Sequence, residues 1–351
     1  MAIYFKDLRI ESFRGMKDLD ILGLKDINII AGNNNVGKTS VLEAISLLKN
    51  PHSFYEVLKT CLIREEVSTT YDWYENFISM FPRDNMYIRV VAHDSEDQVI
   101  LKMAGRETNL LALTSKEKTD AEVRGFVGEL FGFDSKRMQR LAIEYSYLTN
   151  INDFQVEGDT RNIVYVPPGA HLRGNVFGRI VRNESYKEIC IRLLQLFDED
   201  IIDLLYLDNE VTKRAVEYVK HKSLGIMPLA SYGDGIKRVL ALANSIALAA
   251  GGILMIDEVE TSINYKYYHD IFSFLVKACR QYKVQIFITT HNIEAIDAIL
   301  ETQNYANEVG YDPINVITFR KDEDTSRICS RSLSGREVYA DRQMFNLEVR
   351  I

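Results

Sequence analysis

The chain has 351 residues, 46% of them hydrophobic and 26% charged, a balance that excludes wholesale disorder. Its 50 acidic residues against 42 basic give a net charge of −8, which argues against a uniformly basic nucleic-acid binder and leaves a local basic patch open. The four cysteines lie far apart and form no C-x-x-C pair, so reduced thiols are expected rather than a disulfide framework or a zinc site.

The N-terminus alternates apolar and polar residues, carries charges early and shows no signal-peptide core; the longest apolar run, Ile246 to Ile256, falls short of the roughly 20 residues a membrane span needs. A soluble cytoplasmic protein without a membrane segment is expected. Ile3 to Phe13 alternates with period two and predicts a strand. Asp26 to Ala31 predicts a buried strand, followed by Gly32 and a helix from about Thr39 to Lys49. Residues 51–82 are aromatic-rich and read as helices with a loop. Met86 to His93 and Asp97 to Met103 predict a hairpin, Leu141 to Leu148 a strand, and Ile163 to Val166 a short strand stopped by Pro167, Pro168 and Gly169. Tyr186 to Leu205 reads as an amphipathic helix. Beyond it come a helix over Gly235 to Ala250, a strand over Ile253 to Ile256, a helix over Ile263 to Tyr282, a strand over Val284 to Thr289, a helix over Asn292 to Leu300 and a final strand over Ile314 to Phe319. Strands alternating with helices predict a parallel sheet with both faces covered.

The strongest motif is Gly32-Asn33-Asn34-Asn35-Val36-Gly37-Lys38-Thr39, which matches G-x-x-x-x-G-K-[ST] between a predicted strand and a predicted helix. Loop N–H groups and the helix N-terminus would bind phosphates, Lys38 would reach the β- and γ-phosphates, and the Thr39 hydroxyl would ligate Mg²⁺; Ser40 completes the site. A chance glycine-rich turn is the alternative. Four apolar residues then carry Asp257 and Glu258 to the C-terminal end of a strand, where ligands of α/β sheets bind. Asp257 is the candidate Mg²⁺ residue and Glu258 the candidate general base; the alternative is an acidic pair capping the next helix. Ser231-Tyr232-Gly233-Asp234-Gly235 precedes a long helix and offers a second anion site, although Ser231 or Asp234 could equally be an N-cap. Thr289-Thr290-His291 ends the next strand, where His291 could sense a γ-phosphate or serve structure.

In this order the motifs resemble the ABC-type ATPase head shared by RecF, SMC proteins and OLD-family ATPases. Leu8 to Gly15 looks like the opening strand and arginine turn of the RecF/OLD group, and Leu333 to Arg350 resembles the tail of small stand-alone bacterial AAA-type ATPases of that group. The fold implied is an α/β P-loop NTPase head with a parallel core sheet, an antiparallel β subdomain and a helical insertion. Residues 1–351 would form a single head, with an ATP-binding core from 1–50 plus 225–320, an inserted lobe over 51–224 and a C-terminal extension of the core over 321–351.

The resemblance further implies an ATP-sandwich dimer in which Ser231, Gly233 and Gly235 act in trans on the partner's γ-phosphate, helped by Lys237 and Arg238. Arg14 would lie near the phosphates, and the loop after Glu258 would contact the partner. The family often has Glu-Asn-Gly-Leu-His after the Asp-Glu pair, where this chain has Glu260-Thr261-Ser262-Ile263-Asn264. It usually has Ser after the switch histidine, where this chain has Asn292. Gln155 is the candidate for the magnesium-contacting glutamine. The short stretch after His291, whose acidic residues lack TOPRIM-like spacing, leads us to expect no nuclease domain in cis, and no coiled-coil heptads separate Lys38 from Ser231.

The expected protein is therefore an Mg²⁺-dependent, slow ATPase switch controlling a separate effector, a nuclease or toxin in anti-phage defence by family analogy. Two alternatives stand beside it. One is a RecF-like DNA-repair ATPase using Arg137, Arg140, Arg173, Arg179 and Arg182, and the other is an ATP-binding scaffold with little turnover.

Overall fold

The computed structural model describes residues 5–33, 36–63, 73–94, 97–113, 120–154, 159–172, 176–208, 215–305, 310–321 and 327–345. The core is a six-stranded sheet in the order β15-β14-β3-β13-β12-β8. It comprises β3 (Ile27–Ala31), β8 (Ile163–Val166), β12 (Ile253–Ile256), β13 (Gln285–Thr290), β14 (Ile314–Lys321) and β15 (Ile328–Ser334). All of its pairs are parallel except β14 with β15, which closes one edge antiparallel. The central strands are apolar on both sides because both faces are covered. In β12, Ile253 and Met255 point into one hydrophobic cluster while Leu254 and Ile256 point into another.

On the first face lies α1 (Lys38–Leu47), in which every residue but Thr39 is buried. A helix buried nearly all round must be covered on both sides. The second cover is an antiparallel sheet in the order β2-β1-β4-β5-β6-β7. Its strands are β1 (Asp7–Phe13), β2 (Met16–Ile21), β4 (Tyr87–His93), β5 (Gln98–Leu113), β6 (Asp120–Asp134) and β7 (Arg137–Ser146). Helices α2 (Phe54–Cys61) and α3 (Trp73–Ile78) complete this cluster with edge-to-face aromatic contacts among Phe54, Phe77 and Tyr145. The second face packs α4 (Glu184–Leu194), α5 (Asp234–Leu248), α6 (Tyr268–Tyr282), α7 (Ile293–Leu300) and α8 (Gly335–Phe345). A small sheet, β9 (Ile201–Asp208), β10 (Ala215–His221) and β11 (Gly225–Pro228), leads into α5.

Several expectations are corrected. The helix over Tyr186 to Leu205 ends at Leu194, and its last residues belong to β9. Asp198 makes the break by accepting from the Asp200 N–H at 3.1 Å and facing His221 Nε2 at 3.2 Å. The helix starting at Ile263 begins at Tyr268, after a 3₁₀ turn capped by Asn264. Ile3 and Tyr4 of the first expected strand lie outside the described residues, and the described strand begins at Asp7; Ile314 to Phe319 is not the last strand, because β15 follows. The sheets also cross the expected domain boundaries. β8 lies inside the expected insertion yet pairs with β12 in the core, while β1, from the expected core, pairs with β4. Among the described residues no helix is long and apolar enough to cross a membrane.

Candidate functional site

The parallel strands β3 and β12 end at the same sheet edge with β13 between them, so the turns that follow them converge. Their residues line a cavity of about 580 Å³ formed by Arg14, Gly15, Met16, Gly37, Lys38, Thr39, Ser40, Asp257, Glu258 and Ile328. Gly37 caps α1 with φ +95°, a left-handed conformation that a side chain would strain, and a Cβ there would meet Ile328 at 3.4 Å. The Lys38 ammonium folds over the loop and donates to the carbonyls of Gly32 and Asn33, both at 2.8 Å. Burial lowers its pKa, and Glu258, Asp257 and Glu260 oppose that shift. Ser40 is buried at the start of α1, and Asn34 and Asn35 lie outside the described residues.

Asp257 is 5% exposed and accepts from three hydroxyls: Thr39 Oγ1 at 3.0 Å, Tyr165 OH at 3.0 Å and Thr289 Oγ1. Thr289 Oγ1 also accepts from the Glu258 N–H at 2.8 Å. Glu258 has φ +47°, an uncommon conformation for a side-chain-bearing residue, and in it the residue lines the cavity. Neither carboxylate caps the next helix, whose N-cap is Tyr267.

Arg14 lines the same cavity, but its guanidinium is engaged by the fully buried Glu43 of α1, with Nε 2.8 Å and Nη2 3.0 Å from the two carboxylate oxygens. Ser79 Oγ accepts from Nη1 at 3.1 Å. His291 leaves the end of β13 half-exposed; its Nδ1 lies 3.2 Å from Glu260 Oε1, and its N–H donates to the same oxygen at 3.1 Å. It is not among the residues lining the cavity.

The Ser231–Gly235 segment sits elsewhere on the chain. Gly233 is the N-cap of α5 without a side-chain cap bond, so neither Ser231 nor Asp234 caps the helix. Ser231 and Gly233 are exposed and outside the cavity of their own chain. Gly235 presses against the turn after Glu258, where a Cβ would stand 3.2 Å from the Ser262 carbonyl. Ser262 itself has φ +64°, and its Oγ lies 3.3 Å from the buried His171 Nε2.

Arg238 corrects one expectation. It is 0% exposed and points inward, donating to the carbonyls of Pro167 at 2.7 Å and of Asp257 and Glu258 at 3.2 Å each. Burial pushes its pKa down to about 10, so it stays charged at neutral pH. It cannot reach a partner's phosphate from there.

The basic residues expected to share a nucleic-acid face sit on different elements. Arg137 and Arg140 belong to β7, whereas Arg179 and Arg182 flank a 3₁₀ turn beside α4 and α5. Arg173 and Gln155 lie outside the described residues. Sequence reasoning missed Tyr165 and Glu43, because single polar residues in apolar elements carry no motif, and it named Thr289 only as part of the run ending in His291; only folding brings all three to the site.

Phosphate-binding turn, strand-end carboxylates and sheet order together define an ABC-type ATPase head. The chain belongs to the family described as AAA domain, putative AbiEii toxin, Type IV TA system, whose model matches residues 117–297, just over half of the chain. The family described as AAA ATPase domain matches residues 4–131. A Helicobacter pylori protein named ATP/GTP phosphatase is 24% identical over 349 residues, covering 86% of this chain and 90% of that protein. The DNA replication and repair protein RecF of Coxiella burnetii is 25% identical over 142 residues, which are 40% of this chain and 38% of RecF. An SMC head crystallised with the C-terminal winged-helix domain of ScpA superposes with a TM-score of 0.50 at 10% identity, covering 96% of this chain and all of that one. That likeness concerns the fold alone.

Proposed function

We propose that this ATPase works as an ATP-dependent dimerisation switch, organised as a single head with a composite core. The observation that carries the reading is the separation of its two phosphate-binding elements. Lys38, Thr39, Asp257 and Glu258 share one cavity, whereas Ser231 and Gly233 stand exposed outside it. A second copy supplying Ser231, Gly233 and Gly235 to this cavity completes an anion site that one chain leaves open on that side.

In this reading Gly32 to Thr39 cradle the phosphates, with Ser40 behind them in α1. Lys38 exchanges its carbonyl partners for phosphate oxygens, and Glu258 orients and deprotonates the attacking water. Thr39 and Asp257 fit a magnesium site. Their oxygens are 3.0 Å apart. Magnesium suits one carboxylate, a hydroxyl and substrate phosphates better than an all-protein cage, and when bound it offsets phosphate charge. His291, held by Glu260, reports on the γ-phosphate from the neighbouring strand. Arg14 acts by holding Glu43 and α1 against the sheet.

A separate effector, a nuclease or toxin, and a role in anti-phage defence rest on family analogy alone; the matched family's description names a putative toxin of a type IV toxin–antitoxin system. The test uses Glu258→Gln. This variant should bind ATP and accumulate as a dimer by light scattering while turnover drops on the order of 100-fold or more. Turnover at the wild-type rate removes Glu258 from the mechanism, and a monomer at saturating ATP removes the dimer.

A further inference from the structure

Three hydroxyls from three different elements hold the Asp257 carboxylate: Thr39 from α1, Tyr165 from β8 and Thr289 from β13. The oxygen that faces Thr39, Oδ2, is also the one that accepts from Tyr165, both at 3.0 Å. An ionised carboxylate oxygen offers two lone-pair directions, enough to accept from both donors. Thr289 fixes the other oxygen, and one of its own lone pairs accepts from the Glu258 N–H.

Thr39 and Tyr165 differ in what they can do for a cation. Thr39 is the hydroxyl at the phosphate-binding turn and offers its own oxygen to the metal while its proton stays on Asp257. Tyr165 comes from β8, the strand paired with β12. Its backbone is locked by register to Met255 in β12, and its ring packs partly buried in the cluster beneath the antiparallel sheet. A phenol anchored in this way has little rotamer freedom, so it sets the direction of Oδ2 rather than following it.

We infer that Tyr165 is a positioning residue that fixes the Asp257 carboxylate and thereby sets the affinity of the nucleotide site for its divalent cation. The inference rests on the ATPase reading of the cavity. Groups that orient a metal-holding side chain typically contribute 10- to 100-fold in metal affinity, roughly the effect expected here. Without the phenol hydroxyl, Oδ2 keeps only Thr39, and the carboxylate can turn about its Cβ–Cγ bond.

Tyr165→Phe in the full chain isolates the hydroxyl and keeps the ring. Binding of a fluorescent ATP analogue would be measured with EDTA and across a magnesium titration, alongside the melting temperature. The magnesium midpoint should rise about 10-fold or more, while binding in EDTA stays within about two-fold of wild type. A midpoint unchanged within that margin overturns the inference. So does an equal loss with and without magnesium, which would mark a structural role. A wild-type chain that binds no nucleotide overturns the ATPase reading as well, so the two failures are distinguishable.

Discussion

The Arg238 guanidinium donates to the main-chain carbonyl of Asp257 at 3.2 Å, joining the first turn of α5 to the end of β12. The same nitrogen reaches the Glu258 carbonyl, and its twin reaches Pro167 at the end of β8. One buried cation thus ties together the helix that follows Ser231–Gly235 and the two strand ends beside the cavity. A buried charge costs several kcal/mol in desolvation and persists only where hydrogen bonds compensate it, as three carbonyls do here.

Replacing Arg238 by Met removes that charge and leaves three carbonyls short of a donor. We expect a loss on the order of 3 kcal/mol in folding stability, read by urea denaturation. Arg238→Lys should recover only part of it, because an ammonium cannot span the same fork of carbonyls. A stability equal to wild type for the Met variant would show that the carbonyls find other donors.

If Ser231 acts on the partner's nucleotide, two inactive variants should complement each other. Lys38→Ala disables the phosphate-binding turn, and Ser231→Arg blocks the exposed surface before α5. Each alone should lose on the order of 100-fold in turnover. Mixed, they form heterodimers in which one of the two composite sites carries both wild-type elements, and phosphate release should reappear. A mixture as inactive as its components contradicts action in trans.

His52 gives a pH dependence of stability. It is buried beneath β6, 3.3 Å from Asp134, where Gly132 lets the Pro51 carbonyl and the His52 ring approach closely. Burial lowers its pKa, outweighing Asp134, and Arg137 and Arg161 lower it further. The folded state therefore binds the proton less readily than the unfolded state. Its contribution is fully present above the ordinary value of 6.5 and is lost as pH falls below it. Thermal melts from pH 8 to pH 5 should show a decline that is shallower in His52→Gln; identical slopes would assign the decline to other groups.

The sequence alone determined the parts whose signal is local. Gly32–Thr39 is a contiguous turn between a strand and a helix, and Ile253–Ile256 is an apolar run ending in two acids, so each motif declares its element and its place on it. The parallel core was legible for the same reason. β6 was not, because Gly125, Gly128 and Gly132 interrupt its alternation, and its pairing with β5 and β7 supplies what the pattern lacks. The strand at Ile201 is not legible, because apolar spacing there fits either period until Asp198 and His221 close the turn.

Only the tertiary structure decided the surroundings of the site. Tyr165, Thr289 and Arg238 lie far apart in the chain and meet at Asp257 because β8, β12 and β13 are neighbours in the sheet and α5 packs across them. Whether an arginine one turn into a helix faces outward or inward depends on which side of that helix is buried. A charge pattern along the chain does not encode that choice; the packing of α5 against the sheet does.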